Sequence, residues 1–195
     1  MKKNIIFSVL IAFFSLTSQA GVFTTAHFIN QGSHAIGVEP EVTLSNGAGA
    51  AVNLRYTYGA TDLNNLTAII GNGGGPRRFR FGGNFTFDFF PDVDKQPGIG
   101  IAAQGMYYRT PEDGMLETTL VPYIHKSFKS DSNDIEPFLA FPFGIHFKNG
   151  KYEATSNLAI GSIFKASEQL RYVTEIGIAV NHSETYVSGG LIYYP

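Results

Sequence analysis

The sequence predicts an all-β fold: an antiparallel up-and-down transmembrane β-barrel of about ten strands, with eight to twelve open, and no significant helix in the mature chain. Three observations carry this. Apolar and polar residues alternate along most of the chain. Turn residues punctuate that alternation at short intervals. The polar set is rich in charges of both signs and in glycine, whereas a solvent face tolerates charge and has no need of glycine.

The clearest stretch is Arg77 to Phe90. Phe79, Phe81, Phe85, Phe87 and Phe89 alternate with Arg78, Arg80, Gly82, Asn84, Thr86 and Asp88. Successive side chains of a strand point to opposite faces, so the ribbon has one aromatic face and one charged face. The aromatic face suits lipid, with the charges in a lumen. It equally suits the core of a soluble sheet, and the rest of the chain must separate the two.

A chain of 195 residues fits one domain. Charged residues are 15%, below the roughly 25% of ordinary globular chains. With no cysteine there is no lipid anchor through a thioether, no disulfide and no thiolate metal site. Residues 1–20 read as a secretory signal peptide: Lys2 and Lys3, then an apolar run from Ile5 to Leu16, then Ser18-Gln19-Ala20 with small residues before the expected cleavage after Ala20. Its loss takes two lysines and no acid from the net charge of −2, leaving about −4. Nothing is basic enough for a nucleic-acid partner.

Residues 21–33 are an undecided lead-in: tail, strand or plug. The barrel domain is 34–195. Its expected strands are 34–45, 50–59, 65–71, 77–90, 98–109, 115–128, 135–147, 151–165, 169–181 and 184–194. Asn46-Gly47, Lys148-Asn149-Gly150 and Pro111-Glu112-Asp113-Gly114 carry the turn chemistry that joins them. A ten-strand meander closes into a barrel to remove its edges.

Strand parity puts Glu39, Glu41, Arg55, Arg78, Arg80, Asp88, Glu117, Glu136, Lys151, Glu153, Arg171 and Glu175 on one face. In a barrel that face is the lumen, and buried charges must pair. With both termini in the periplasm, Tyr56, Tyr58, Phe89, Phe128, Phe164, Tyr172 and Tyr193 fall at the periplasmic end. Phe79, Tyr107, Phe147, Tyr152 and Tyr186 fall at the outer end, all but Tyr186 with lipid-facing parity. This makes two aromatic girdles around an aliphatic band.

With these features the chain resembles the small outer-membrane β-barrel proteins of Gram-negative bacteria. The resemblance covers roughly 34–194 and rests on signal peptide, strand count, dyad pattern, aromatic ends and the last strand, Tyr186-Val-Ser-Gly-Gly-Leu-Ile-Tyr-Tyr194. It implies outer-membrane localisation, contact with outer-membrane lipid and lipopolysaccharide, and recognition of the C-terminal strand by the barrel-assembly machinery. Pro195 after the terminal aromatic, and the absence of Trp, depart from that pattern.

The candidates for chemistry are few. His125-Lys126-Ser127 puts His125 and Ser127 on one face, as in some lipid A deacylases of barrel fold. The pair lies at the periplasmic end with lumen parity, away from the outer leaflet where such enzymes act. The outer turns are too short for the rim cleft of ten-stranded barrel proteases. Asp92-Val93-Asp94 and Asp131 to Asp134 lack the spacing of a calcium loop and read as solvated turns. Gly71 to Gly75 has no following Lys-Ser/Thr, so it is no phosphate loop. His27, His34, His146 and His182 show no metal-ligand spacing, and Arg77 is a rim charge that can reach lipid phosphate. No cofactor or metal is expected. The sequence thus reads as a non-enzymatic barrel, structural or a narrow, plugged pore whose lumen is filled by paired charges. The alternatives are a soluble periplasmic or secreted barrel for a small apolar ligand, and a barrel enzyme acting on outer-membrane lipid.

Overall fold

Alternation with short turns becomes twelve strand segments, each pairing antiparallel with its neighbours. The computed structural model describes residues 29–45, 48–74, 79–109, 113–129 and 134–195. The segments are β1 (His34–Thr43), β2 (Gly49–Thr61), β3 (Asn64–Gly73), β4 (Phe79–Phe90), β5 (Gly98–Arg109), β6 (Gly114–His125), β7 (Phe128–Lys129), β8 (Asp134–Ala140), β9 (Phe143–Lys148), β10 (Lys151–Lys165), β11 (Leu170–Asn181) and β12 (Tyr186–Tyr193). The signal peptide, His27, Asn46-Gly47, Arg77, Arg78 and Asp131 to Asn133 lie outside the described residues.

The twelve segments make ten staves of one closed barrel with no helix among the described residues. β12 pairs with both β1 and β11, and β11 with β10, which closes the ring. β10 is long enough to pair with β8 along one half and β9 along the other. β8 and β9 are therefore one stave, interrupted at Phe141-Pro142. Proline has no N–H to give a ladder and restricts the residue before it. The ladder is bridged by side contacts: the Phe141 N–H donates to the Pro122 carbonyl at 3.0 Å, and the Asn157 N–H to the Pro142 carbonyl at 2.9 Å. The expected continuous strand 135–147 is broken here for that reason. The expected strand 115–128 likewise stops at His125, and β7 continues it beyond Lys126-Ser127 as a two-residue pair with β8.

The alternation of burial is inverted relative to a water-soluble barrel. In β1 every second residue is buried and the exposed set is His34, Ile36, Val38, Pro40 and Val42. Adjacent residues of β2 show the contrast: Leu54 is 49% exposed on the outer face, and Arg55 is 6% exposed inside. Thus the apolar faces form the outside of the wall.

All strands run between two mouths. One, the terminal mouth, holds the start of β1 and the end of β12. The other, the far mouth, holds the ends of β1, β3, β5, β9 and β11.

Candidate functional site in the barrel lumen

The inward faces of ten staves bring together residues far apart in sequence. The buried carboxylates are Glu39, Glu41, Asp88, Glu117, Glu136, Glu175 and Glu184; the buried guanidiniums are those of Arg55 and Arg80. All but Glu184, which lies between β11 and β12, sort into three groups along the lumen.

The first group spans β1, β2, β4, β11 and β12. Register places Glu39 beside Asn53 on β2, and places Glu41 and Glu175 on either side of Ser188. Arg55 Nε donates to Glu39 at 2.6 Å, and Arg80 Nη1 to Glu41 Oε1 at 3.3 Å. The Tyr186 hydroxyl donates to Glu175 Oε1. These are the charge-assisted pairs that burial demands.

The second group lies nearer the terminal mouth. The Tyr123 hydroxyl donates to Asp88 Oδ1 at 2.6 Å. His125 faces two carboxylates, Nδ1 at 2.8 Å from Glu136 and Nε2 at 3.0 Å from Asp88. Arg171, half-buried, stands 5.4 Å from the centre of the Tyr194 ring, within cation–π range.

The third group is at the far mouth. One register row runs Glu117, His146, Glu153 across β6, β9 and β10. His146 Nε2 is 3.0 Å from Glu153, which is half-buried, and His182 Nδ1 is 3.9 Å from the same oxygen. Glu117 accepts from the Thr119 hydroxyl at 3.0 Å.

Charge does not fill the lumen, and here the structure corrects the sequence reading. Toward the terminal mouth the interior is an apolar core that includes Ala102, Val121, Phe138, Ala140, Ala159, Ile163, Val173 and Ile192. Ile69, Met106, Tyr108 and Met115 form a second apolar cluster on the β3, β5 and β6 wall. Parity alone marks a position as inward and says nothing of which inward positions carry aliphatic side chains. Ile29 of the lead-in joins the first core at 5% exposure. A cavity of about 10 Å³, room for about one water, remains beside it, bounded in part by Ala35, Gly37, Glu39, Arg55 and Tyr194.

The His125–Ser127 pair does not stand as nucleophile and base. Both nitrogens of the His125 ring are engaged by carboxylates, so neither is turned to a serine hydroxyl. Ser127 instead donates its backbone N–H to Asp92 Oδ2 at 2.6 Å. The same turn explains Asp92-Val93-Asp94. The Lys126 ammonium is hydrogen-bonded to Asp92 Oδ1, and to the carbonyls of Asp94 at 2.6 Å and Gln96 at 3.2 Å. Burial pushes the Asp92 carboxyl up, but the hydrogen bonds and charge of Lys126 and the Ser127 N–H outweigh it and hold the group below the usual aspartate value. The turn is thus a cross-link between the β4–β5 loop and the end of β6.

Outside the wall, Tyr56, Tyr58, Phe89, Phe128, Phe164, Tyr172 and Tyr193 are exposed toward the terminal mouth, and Phe79, Phe147 and Tyr152 toward the far mouth. Tyr107 is half-buried, its ring 5.3 Å from Phe81. Tyr186, at the far end of β12, is fully inward. The sequence reading missed Ile29, Glu184 and the roles of Tyr123 and Lys126. Tyr123 shares the parity of Glu117, which was the one usable signal.

No family model and no curated protein matches this chain. Solved structures do. The COG4313 outer membrane channel from Pseudomonas putida F1 aligns with 92% of this chain and 100% of its own at a TM-score of 0.51 and 9% identity. A structure described as de novo design of transmembrane beta-barrels aligns with 87% of this chain and 100% of its own, at a TM-score of 0.40 and 12% identity. Ail, the attachment invasion locus protein of Yersinia pestis, covers 84% of this chain and 98% of its own, at a TM-score of 0.27 and 12% identity. At 9% identity the likeness to the COG4313 channel is one of fold alone, and the fold of this chain is that of an all-β, antiparallel, transmembrane-type barrel.

Proposed function

We propose that this chain is a non-enzymatic outer-membrane β-barrel protein with a closed lumen, a structural element or a plugged pore. The observation that carries the reading is the inversion of the wall. Large apolar side chains cover the outside while carboxylates and guanidiniums lie within. In water such an outer surface is an aggregation hazard far beyond the few hundred Å² that a soluble monomer exposes. In a bilayer it is the required surface. The exposed aromatic residues near both mouths sit where lipid headgroups begin.

The remaining parts follow from this placement. The signal peptide, cleaved after Ala20, exports the chain. β12 ends in aromatics and offers its edge to the barrel-assembly machinery before β1 closes on it. The outer wall meets membrane lipid and lipopolysaccharide. Closure of the lumen is supported by the apolar core and the ion pairs.

The test is recovery of the protein from outer-membrane fractions and its gel mobility with and without boiling. A closed membrane barrel resists SDS when unheated and shifts on boiling. Recovery in the soluble periplasm without a shift would sink the proposal and return the soluble barrel with an apolar ligand.

A further inference from the structure

We infer that the outer wall over β5, β6 and β9, with the rim above it, is a site for one acylated, phosphorylated lipid of the outer leaflet. The inference rests on the outer-membrane reading above, with both termini in the periplasm and the far mouth outside. It narrows general lipid contact to one place on the wall. Two independent observations carry it: a groove that fits an acyl chain, and cations above it that fit a phosphate.

The groove has a volume of about 580 Å³, within the range of sites that hold small ligands. Its outward-facing lining is Ala103 and Gly105 on β5, Thr118 and Leu120 on β6, and Phe143 and Ile145 on β9. Register sets these in two rows, Ala103–Leu120–Phe143 and Gly105–Thr118–Ile145. A Cβ on Gly105 would meet nothing within 4 Å, so the floor is open to the bilayer and no neighbouring side chain fills it. The groove lies within the span of the wall, where hydrocarbon is the solvent. Its occupant at that depth is therefore an acyl chain.

On β5 the same outward face continues from Gly105 through Tyr107 to Arg109. Arg109 is exposed and stands four residues above Gly105, about 13 Å along the strand, within the roughly 15 Å of one leaflet. The Tyr107 hydroxyl lies over Gly114, where a Cβ would come within 2.6 Å of it, so its O–H is also at the rim. Lys148 and Lys151 stand opposite each other at the root of the β9–β10 hairpin. Like charges so placed are destabilising unless an anion shares them. Asn149 Nδ2 donates to Asp113 Oδ2 at 2.7 Å, which keeps this hairpin beside the start of β6. Among the described residues Arg109, Lys148 and Lys151 make no hydrogen bond or ion pair. The other described lysines and arginines lie in the lumen or toward the terminal mouth. A guanidinium takes a phosphate bidentately and an ammonium as a point charge. The cationic rim thus complements an anionic headgroup directly above the groove that holds its chain.

The experiment is native mass spectrometry of the mature barrel in detergent, titrated with diphosphorylated lipid A and with the same lipid after removal of its phosphates. Wild type is compared with Arg109→Ala, with Gly105→Leu, which fills the groove, and with Val52→Leu, which adds bulk to the outer face of β2 across the barrel. Each is first shown to shift on boiling. Should Gly105→Leu fail to shift, Thr118→Leu fills the same groove from β6. The wild type is expected to hold one lipid A. Arg109→Ala and Gly105→Leu should each weaken it about tenfold, the scale of one charge-assisted hydrogen bond or of a few buried methylenes. Val52→Leu should change nothing, and the dephosphorylated lipid should bind the wild type about as weakly as lipid A binds Arg109→Ala. Binding that Arg109→Ala leaves intact would refute the rim, and binding that the groove-filling variant leaves intact would refute the groove. Either result overturns the single site. A protein that is soluble without detergent and never shifts defeats the outer-membrane reading itself, whereas a heat-shifting barrel indifferent to the phosphates defeats this inference alone.

Discussion

Leu54 and Arg55 are neighbours on β2 and face opposite worlds. Leu54 stands half exposed on the outer wall, and Arg55 is buried with its Nε on Glu39. The difference shows where this fold keeps its specificity. The outer face must only be apolar, since lipid has no shape to match. The inner face must satisfy every polar atom without water at hand. Substitutions on the two faces should therefore differ in kind as well as in size.

The largest effect is expected inside. Arg55→Ala leaves Glu39 as a buried carboxylate without its guanidinium. Breaking a buried pair this way costs about 3–5 kcal/mol. Urea unfolding from lipid vesicles measures it, and a loss below about 1 kcal/mol would mean the pair is solvated. Glu39→Gln combined with Arg55→Met should recover much of the loss, because an apolar or neutral replacement of the whole pair avoids the stranded charge.

Leu54→Lys sharpens the comparison from the other side. A half-exposed leucine in water tolerates lysine within about 0.5 kcal/mol. At the middle of a bilayer the same change costs about 2–4 kcal/mol. Leu54 lies near the centre of β2, so the larger value is expected in vesicles. A neutral result would say that this face meets water, and would break the contrast with Arg55.

The sequence made the wall legible and the interior only in outline. Alternation at Glu39, Glu41, Arg55 and Arg80 reveals an inward face because the strand period is two. Nothing in that period says that Asp88, Tyr123, His125 and Glu136 meet, since three separate staves supply them. The break at Pro142 had a local sign, the missing N–H, but Pro40, Pro122 and Pro137 sit within strands without ending them. What distinguishes Pro142 is that Pro122 of β6 lies beside Phe141-Pro142 in the ladder, so two N–H groups are missing from one stretch, which is a fact of topology. Ile29 had no sign at all. It lies in an aperiodic segment, and its burial depends on Gly59, far along the chain.

The smallest expected effect concerns the turn at the terminal mouth, where neither face rule applies. Asp92 holds Lys126 and the Ser127 N–H, and its carboxyl sits below the ordinary aspartate value because of them. A carboxyl with a depressed folded value stabilises the fold above its unfolded value, near pH 3.9, and loses that contribution as pH falls through the folded value. Asp92→Asn removes the charge and keeps the shape. The variant should be less stable than the wild type by about 1 kcal/mol at neutral pH, as expected for a partly exposed pair with charge-assisted hydrogen bonds. The gap should stay constant down to about pH 5 and close toward pH 2. Unfolding midpoints of both proteins across that range decide it. A gap that does not narrow in acid would mean that the Asp92→Asn variant loses packing rather than charge, and that the Lys126 cross-link is held by its two carbonyl contacts alone.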